Sequence, residues 1–315
     1  MNMKKGLQII GLGHCVPEKV ITNDDLSKIV DTNDEWISSR TGIRRRHFVE
    51  KETGYELAIQ AARMAIADAG IDVSKIAACV YATVRGENVT PSNACLVQKA
   101  LGLPTDIPCF DINAACSGFM FGLQIARGLL MQSDKEYALV IGAETISKIL
   151  DMTDRSSCIL FGDGAGAAII RLSDTHAFFS DLGTDGNDEV LTCPNENTTD
   201  RFVHMNGQEV FKFAVRTVPA SIERLLAAAG KTADEIDCFV CHQANLRIIE
   251  SVAKKLGQPM EKFFVNLDEY GNTSSASIPI ALSEMNQKGM FKEGMKVISV
   301  GFGGGLTWGG AYFEW

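Results

Sequence analysis

The sequence contains no apolar run long enough to cross a membrane, which would need about 20 consecutive apolar residues. It is also short of positive charge, since 30 Lys and Arg residues face 39 Asp and Glu residues and the net charge is −9. A chain this acidic is not expected to bind nucleic acid, and an acidic partner would have to dock on a local basic patch. We therefore expect neither a membrane protein nor a nucleic-acid-binding protein.

The N-terminus lacks the features of a secretory signal peptide. Its apolar stretch is short, is interrupted by Gln8, Gly11 and Gly13, and precedes no small-residue cleavage site. Nine cysteines are scattered without the spacing of a disulfide scaffold, and most lie in apolar runs, where a reduced thiol behaves as a small hydrophobe. These features favour a reducing cytoplasm as the location.

What the chain does contain is an internal repeat with an offset near 160 residues. Matching segments keep their order throughout the two halves. The pairs are 55–70 with 221–230, 77–83 with 237–243, 93–103 with 245–257, 107–119 with 262–276, 136–145 with 295–305, and 158–172 with 305–315. Helix and strand patterns alternate in both copies, which predicts an α/β fold with mostly parallel sheets covered by helices.

Two similar α/β halves, 1–172 and 173–315, should be related by a pseudo-twofold axis. In such folds the chemistry is expected at the carboxyl ends of strands, here where the halves meet. Cys116 follows the strand-like IPCFDI and a tight turn, and it precedes an apolar helix. The N-terminus of that helix would favour a thiolate. The other interpretation is one more buried cysteine.

Three further segments, all in the second half of the chain, also carry candidate functional residues. His242 ends the strand 237–243, and Asn272 lies in EYGNTSSAS, the repeat mate of the turn that holds Cys116. The glycines of 301–305 allow close approach of backbone N–H groups to a ligand, which is typical of an oxyanion hole. A structural histidine, a helix-capping polar loop and a sharp turn remain the structural interpretations.

Other motifs predict no chemistry. GDGAGA (162–167) is similar to a dinucleotide-binding fingerprint but runs into a strand instead of opening a helix. Cys238 and Cys241 would point to opposite faces of a strand, so no metal site is expected. For the basic segment 40–47, a solvated surface and phosphate binding are both open.

The motifs DINAACSGF, HQANLRII, YGNTSSAS and GFGGGLTWG, in this order and spacing, resemble the β-ketoacyl-acyl-carrier-protein synthase III family. DTNDEWISSRTGIRRRH and FGDGAGAA are similar to further family segments, so the resemblance covers essentially the whole chain. It implies the thiolase fold, layered helix, sheet, helix, sheet, helix, and a cytoplasmic homodimer. It also implies decarboxylative condensation of an acyl-CoA primer with malonyl-acyl-carrier protein, which initiates fatty-acid biosynthesis through an acyl-cysteine. No cofactor is implied, because the CoA thioester is a substrate.

The resemblance also assigns roles to single residues. It implies a catalytic triad of Cys116, His242 and Asn272, with an oxyanion hole formed by the N–H groups of Cys116 and Gly304. The implied CoA contacts are Trp36 and Arg155 around the adenine, Arg40 at a phosphate and Asn245 at the pantetheine, and the implied carrier-protein contacts are Lys212, Arg247, Lys254 and Lys255. Ordinary surface charge is the other interpretation of the three lysines. Because Asn cannot act as a base, His242 and Asn272 are expected to donate hydrogen bonds to an enolate, and Cys116 to be activated by its helix.

Thr90 departs from the family pattern. Many acetyl-primed members carry Phe at this position, on a loop that reaches the partner subunit's pocket. The smaller Thr90 predicts room for a longer or branched primer.

Other functions are also compatible with these residues. Relatives with the same triad make secondary metabolites or transfer acyl groups to oxygen or nitrogen. A degradative thiolase would need a second catalytic cysteine in the C-terminal glycine segment, which GFGGGLTWG lacks. A cysteine thioester hydrolase and a non-catalytic binding protein of the same fold are the remaining alternatives.

Overall fold

The computed structural model describes residues 5–194 and 200–315. Their strands and helices alternate over much of the chain. The strands are β1 (Gly6–Cys15), β2 (Val20–Thr22), β3 (Arg45–His47), β4 (Ile76–Ala82), β5 (Cys109–Ile112), β6 (Tyr137–Glu144), β7 (Gly164–Ser173), β8 (Phe178–Asn187), β9 (Leu191–Thr192), β10 (His204–Met205), β11 (Cys238–Cys241), β12 (Lys296–Gly303) and β13 (Gly305–Glu314). The helices are α1 (Asn23–Leu26), α2 (Asp34–Thr41), α3 (Gly54–Ala69), α4 (Asn93–Leu101), α5 (Gly118–Leu130), α6 (Arg155–Cys158), α7 (Gly207–Ala229), α8 (Leu246–Leu256), α9 (Leu267–Tyr270) and α10 (Ser277–Gln287). Strands β7–β10 and β12–β13 follow one another without an intervening helix.

Two sheets share one topology. The first has the strand order β1-β7-β6-β4-β5 and the second has the order β8-β13-β12-β11. In each sheet the first two pairings are antiparallel and the following ones are parallel. A parallel bridge between Phe239 and Phe263 stands in the second sheet where β5 pairs in the first. The repeat is thus visible in the strand order, while the division of the chain at residue 172 stays a prediction.

The sheets are mixed, so the expectation of mostly parallel sheets is wrong. The reason is that the strand following β6 and the strand following β12 each return directly beside the strand they leave. Only Gly304 separates β12 from β13, and a strand that returns across so short a connection must run antiparallel.

Five layers build the molecule. Helices α3 and α4 cover the outer face of the first sheet, α5 and α10 lie between the sheets, and α7 and α8 cover the outer face of the second. Buried alanines line α3, and a Cβ atom on Gly11 would lie 2.3 Å from the Ala65 carbonyl oxygen, so glycine allows β1 to pack directly on this helix. Buried apolar side chains form three large clusters and one smaller cluster in this arrangement.

Helix α5 is the central element that positions the site. Phe119, Met120 and Leu123 are buried between the sheets, and burial of such side chains stabilises a fold by about 1.5–3 kcal/mol each. The helix begins right after a 3₁₀ turn formed by Ala115–Ser117. Its burial therefore brings Cys116 to the plane where the two halves meet.

The motifs excluded above lie in ordinary structure. GDGAGA runs into β7, and Cys238 and Cys241 pack into different cores on opposite faces of β11. Arg46 of the basic segment is fully buried, whereas Arg40, Arg44 and Arg45 are exposed, so a solvated surface describes part of the segment and phosphate binding stays a prediction. Among the described residues, no helix is long and apolar enough to span a membrane.

Candidate active site

Three segments that are distant in sequence converge on one cavity of about 1240 Å³. Cys116 lies in the 3₁₀ turn before α5, His242 follows β11, and Asn272 follows α9. All three side chains line the cavity and are nearly buried, with exposed fractions of 7%, 1% and 6%. The structure thus brings together the three residues for which the family resemblance implies catalytic roles.

A strained turn presents Cys116. Ala115 has a φ of 47°, and its N–H donates to the Asn113 side-chain oxygen over 3.1 Å. Gly303 of β12 lies against the turn so closely that a Cβ atom there would be 2.7 Å from the Cys116 nitrogen. Glycine at this position therefore lets the second half approach the cysteine backbone.

The Cys116 thiol is not held as a thiolate in this environment. Burial raises the pKa of Cys116 to about 12, although the Ser274 hydroxyl acts in the opposite direction. Burial therefore opposes the activation that was expected from the helix N-terminus. Cys116 precedes α5 by a 3₁₀ turn and is buried.

The His242 imidazole is neutral, and its tautomer follows from its neighbours. Its Nδ1 lies 2.6 Å from the Ser277 hydroxyl oxygen, which also accepts the Gln243 N–H over 3.4 Å. The hydroxyl proton is thus available to Nδ1, which assigns the ring proton to Nε2. Burial lowers the pKa of His242 to about 3, so the ring can donate a hydrogen bond without carrying charge.

The Asn272 amide is oriented by its own turn. Its side-chain oxygen accepts the Ser274 N–H over 2.9 Å, and its backbone N–H donates to the Leu160 carbonyl over 2.8 Å. With the oxygen engaged in this way, the Nδ2 group is the part of the side chain available for donation. Asn272 and His242 can therefore both offer neutral N–H donors to a ligand near Cys116.

A second cavity of about 350 Å³ also reaches Cys116. Gly304 and Ser274 line it, and the rest of its wall is largely apolar. The apolar side chains are those of Val84, Ile146, Phe161, Leu191, Cys193 and Val203. The site can therefore accept an apolar group on one side of the sulfur and a larger molecule on the other.

Of the residues predicted to bind CoA, Trp36, Arg40 and Asn245 line the large cavity, and Arg155 lies beside Trp36. The guanidinium carbons of Arg40 and Arg155 lie 4.6 and 4.7 Å from the centre of the Trp36 ring. Asn245 donates to the Arg40 carbonyl over 3.1 Å and accepts the Arg247 N–H over 2.9 Å. An aromatic ring and several cations thus surround the entrance.

The predicted carrier-protein residues divide into two groups. Lys212 and Arg247 line the large cavity itself. Lys254 and Lys255 lie on the exposed last turn of α8. Thr90 lies apart from both groups, on an exposed loop beside the fully exposed Val89.

Two polar groups near the site were missed from the sequence. Glu144 is buried at the end of β6 and accepts hydrogen bonds from Ser274 and Ser275, and Ser277 contacts His242. A carboxylate that ends the apolar strand YALVIGAE is a signal that could have revealed Glu144. In the described part of the chain, no group of three or more His, Cys, Asp or Glu residues could hold a metal ion.

Comparison with known proteins identifies the family. Residues 110–186 match the model of 3-oxoacyl-[acyl-carrier-protein] synthase III, and residues 226–315 match the model of its C-terminal part. A β-ketoacyl-[acyl-carrier-protein] synthase III of Clostridium acetobutylicum is 48% identical over 98% of both chains.

Solved structures agree with the sequence matches. A 3-oxoacyl-[acyl-carrier-protein] synthase III of Aquifex aeolicus superposes with a TM-score of 0.94 at 42% identity, over 98% of this chain and 100% of that one. A priming β-ketosynthase of the R1128 polyketide pathway superposes with a TM-score of 0.91 at 32% identity, over 100% and 97%. The fold is the thiolase fold, as the resemblance implied. The chain belongs to the β-ketoacyl-[acyl-carrier-protein] synthase III family of condensing acyltransferases.

Proposed function

We propose that this enzyme condenses an acyl-CoA primer with malonyl-acyl-carrier protein, using Cys116 as the nucleophile. The observation that supports this most directly is the convergence of Cys116, His242 and Asn272 on one cavity whose entrance holds an indole and several cations. A thioester is already an activated acyl donor, so this chemistry needs only the chain's own residues and no resident cofactor.

In the first half-reaction, the Cys116 sulfur attacks the acyl-CoA carbonyl and becomes acylated. The N–H groups of Cys116 and Gly304 would hold the tetrahedral oxyanion, because both residues line the smaller cavity. The apolar wall of that cavity would receive the acyl chain.

In the second half-reaction, malonyl-acyl-carrier protein loses carbon dioxide and leaves charge on a thioester oxygen. The Nε2–H of His242 and the Nδ2–H of Asn272 would donate to that oxygen. Neutral donors in a dry site stabilise such charge well, and removing one costs about 2.7–4 kcal/mol of barrier. The carbanion then attacks the acyl-cysteine and forms a 3-ketoacyl product.

The cationic entrance suits both phosphorylated substrates. Trp36 and Arg155 would hold the adenine of CoA between them, which requires the Arg155 guanidinium to move away from the Trp36 ring. Arg40 would contact a phosphate, and Asn245 would contact the pantetheine. Lys212, Arg247, Lys254 and Lys255 would face the acidic carrier protein. Since Lys212 and Arg247 line the cavity, they are close enough to its mouth to contact a phosphopantetheine arm as well.

A second copy of the chain would complete the molecule. Strand β5 is one of the two edge strands of the first sheet, and Val89 and Thr90 project from the loop between β4 and α4. An open strand edge and an exposed apolar side chain favour association, so we propose a homodimer. Its location would be the cytoplasm, in keeping with nine unpaired cysteines.

Primary fatty-acid synthesis is favoured over the alternatives. The Clostridium relative is 48% identical, whereas the polyketide ketosynthase is 32% identical. A cysteine hydrolase with an imidazole base is disfavoured because burial lowers the pKa of His242 to about 3. A non-catalytic binding protein would not need the buried polar side chains of His242 and Asn272 beside a cysteine that lines the cavity.

Intact-mass spectrometry with a panel of acyl-CoAs tests the nucleophile. The wild type should gain one acyl mass, and Cys116→Ala should gain none. Cys193→Ala is the matched control, because Cys193 is the other thiol lining the smaller cavity and its loss should leave the mass gain intact. Release of carbon dioxide from malonyl-carrier protein, together with a 3-ketoacyl product, would complete the assignment. Hydrolysis without condensation, or a mass gain that persists in Cys116→Ala, would refute it.

A further inference from the structure

A buried carboxyl group lies behind the proposed nucleophile. Glu144 is 1% exposed, and all the hydrogen-bond donors that the structure places on it are neutral. They are the hydroxyls of Thr83, Ser274 and Ser275 at 3.0, 3.0 and 2.8 Å and the N–H groups of Val84 and Ser275 at 3.0 and 3.4 Å. A carboxyl group without a cation in such a place is costly to ionise, which calls for a reason.

Ser274 connects this carboxyl group to the sulfur. Its hydroxyl donates to Glu144 over 3.0 Å, its 3₁₀ turn (Ser274–Ala276) packs against the 3₁₀ turn that holds Cys116, and both Ser274 and Cys116 line the smaller cavity. A hydroxyl has one proton and two lone pairs. Because the proton is directed to Glu144, the lone pairs are available to accept the Cys116 S–H.

We propose that Glu144 accepts the Cys116 proton through the Ser274 hydroxyl as the sulfur attacks the acyl-CoA. The S–H bond breaks, the proton moves to the Ser274 oxygen, and the proton of Ser274 moves to the Glu144 carboxylate. The sulfur electron pair forms the new C–S bond. When the tetrahedral intermediate collapses, the bond to CoA breaks and the proton returns along the same path to the CoA thiolate.

Among the groups near the sulfur, Glu144 is the better proton acceptor. Burial raises the pKa of Glu144 to about 7, whereas burial lowers the pKa of His242 to about 3, and Nδ1 of His242 is engaged by Ser277. The titratable groups that face Glu144 from neighbouring elements are Tyr81, Cys116 and Cys193, and burial raises the pKa of each, so they are neutral at pH 7. The Arg85 guanidinium acts on the Cys193 thiol, where it lowers the pKa in opposition to burial.

A purely structural role for Glu144 is the competing explanation. The Ser275 N–H also approaches the carboxylate, at 3.4 Å, and Ser275 is the repeat mate of Cys116. Glu144 could therefore serve only to hold the Asn272–Ser275 turn. Ser275 separates the two roles, because its hydroxyl contacts the same carboxylate as Ser274 but also bonds the Ala82 carbonyl at 3.0 Å.

The experiment measures the two half-reactions separately. Acylation of Cys116 by one acyl-CoA is followed by quenched-flow intact mass from pH 5.5 to 9, and decarboxylation of malonyl-carrier protein is followed by carbon dioxide release. The wild-type acylation rate should rise with pH and level off above neutrality. Glu144→Gln and Ser274→Ala should lose about 100-fold of that plateau together with the pH-dependent rise, while decarboxylation stays near the wild-type rate. Ser275→Ala should keep the plateau.

Several results would overturn the proton path. These are acylation at the wild-type rate and pH dependence in both Glu144→Gln and Ser274→Ala, an equal loss in both half-reactions, or an equal loss of plateau in Ser275→Ala. Should Glu144→Gln fail to fold, Ser274→Ala decides alone, because it keeps the backbone N–H bond to Asn272. The inference rests on the proposed acyl-cysteine chemistry, and failure of that chemistry would be distinguishable because the wild type itself would gain no acyl mass.

Discussion

Asn113 and Asn272 close equivalent turns in the two halves, and each side-chain oxygen accepts the backbone N–H two residues later, over 3.1 and 2.9 Å. The residues that donate these bonds, Ala115 and Ser274, have φ angles of 47° and 51°. The amide nitrogen is used differently, since Asn113 donates it to the Val84 carbonyl over 3.2 Å and Asn272 faces the large cavity. The two turns therefore share one backbone geometry and differ in what the asparagine amide nitrogen contacts.

Replacement of Asn272 by Asp should separate turn geometry from hydrogen-bond donation. The Asp oxygen can still accept the Ser274 N–H, but the Nδ2–H donor is lost and a negative charge is added beside the enolate. Decarboxylation of malonyl-carrier protein should fall by about 10²–10³-fold, as measured by carbon dioxide release. Asn113→Asp makes the same change in the equivalent turn, and a similar loss there would contradict the assignment.

Gly303 should be intolerant of any side chain. An Ala Cβ would lie 2.7 Å from the Cys116 nitrogen and 3.0 Å from its Cβ, so the nucleophile must shift. We expect Gly303→Ala to lose acylation and to lower the free energy of unfolding by about 1–3 kcal/mol. Gly128→Ala on α5 is the control. A Cβ atom at Gly128 would have no neighbouring atom within 4 Å, so this substitution should be neutral or stabilising in the same denaturation assay.

His242 should remain neutral throughout the working pH range. Burial lowers its pKa from 6.5 to about 3, so the unfolded chain binds this proton first as the pH falls. The contribution of His242 to stability is therefore present above pH 6.5 and is lost progressively between pH 6.5 and 3. Nitrogen NMR of the ring should show Nε2–H and no titration from pH 5 to 8. A midpoint inside that interval would be incompatible with the neutral-donor role.

Glu144 should make stability depend on pH in the opposite sense. Its folded pKa of about 7 exceeds the ordinary value of 4.5, so its contribution is present below pH 4.5 and is lost as the pH rises through 7. The change corresponds to about 3 kcal/mol. In urea denaturation, the free energy of unfolding of the wild type should fall relative to that of Glu144→Gln as the pH rises from 4.5 to 7, because Gln does not titrate. A pH-independent difference would mean that folding does not raise the pKa of Glu144.

The residue at position 90 should influence primer choice. Thr90→Phe places a larger side chain on the exposed loop that would reach the partner's acyl pocket. The rate of acylation by branched or medium-chain acyl-CoA should fall relative to that by acetyl-CoA, as measured by acyl mass gain with paired substrates. The hypothesis would be wrong if the wild type already turned over acetyl-CoA as well as or better than the longer primers, or if the ratio did not change in the variant.

The amino-acid sequence by itself determined the repeat, the alternation of helices and strands, and the segments that carry Cys116, His242 and Asn272. These features are local or periodic, because apolar spacing and turn residues are read directly from the chain. Even the pairing of the two Asn-containing turns follows from the 160-residue offset. Sequence motifs also identified the family.

Only the tertiary structure decided the direction of β7 and β13, the depth at which Arg46 and Glu144 are buried, and the charge state of the site. Cys116 illustrates why. Its position before α5 favours a thiolate, but burial raises the pKa of the thiol to about 12. The balance between a helix dipole and lost hydration depends on how much protein surrounds the sulfur, and that comes from residues on both halves of the fold, far from Cys116 in sequence.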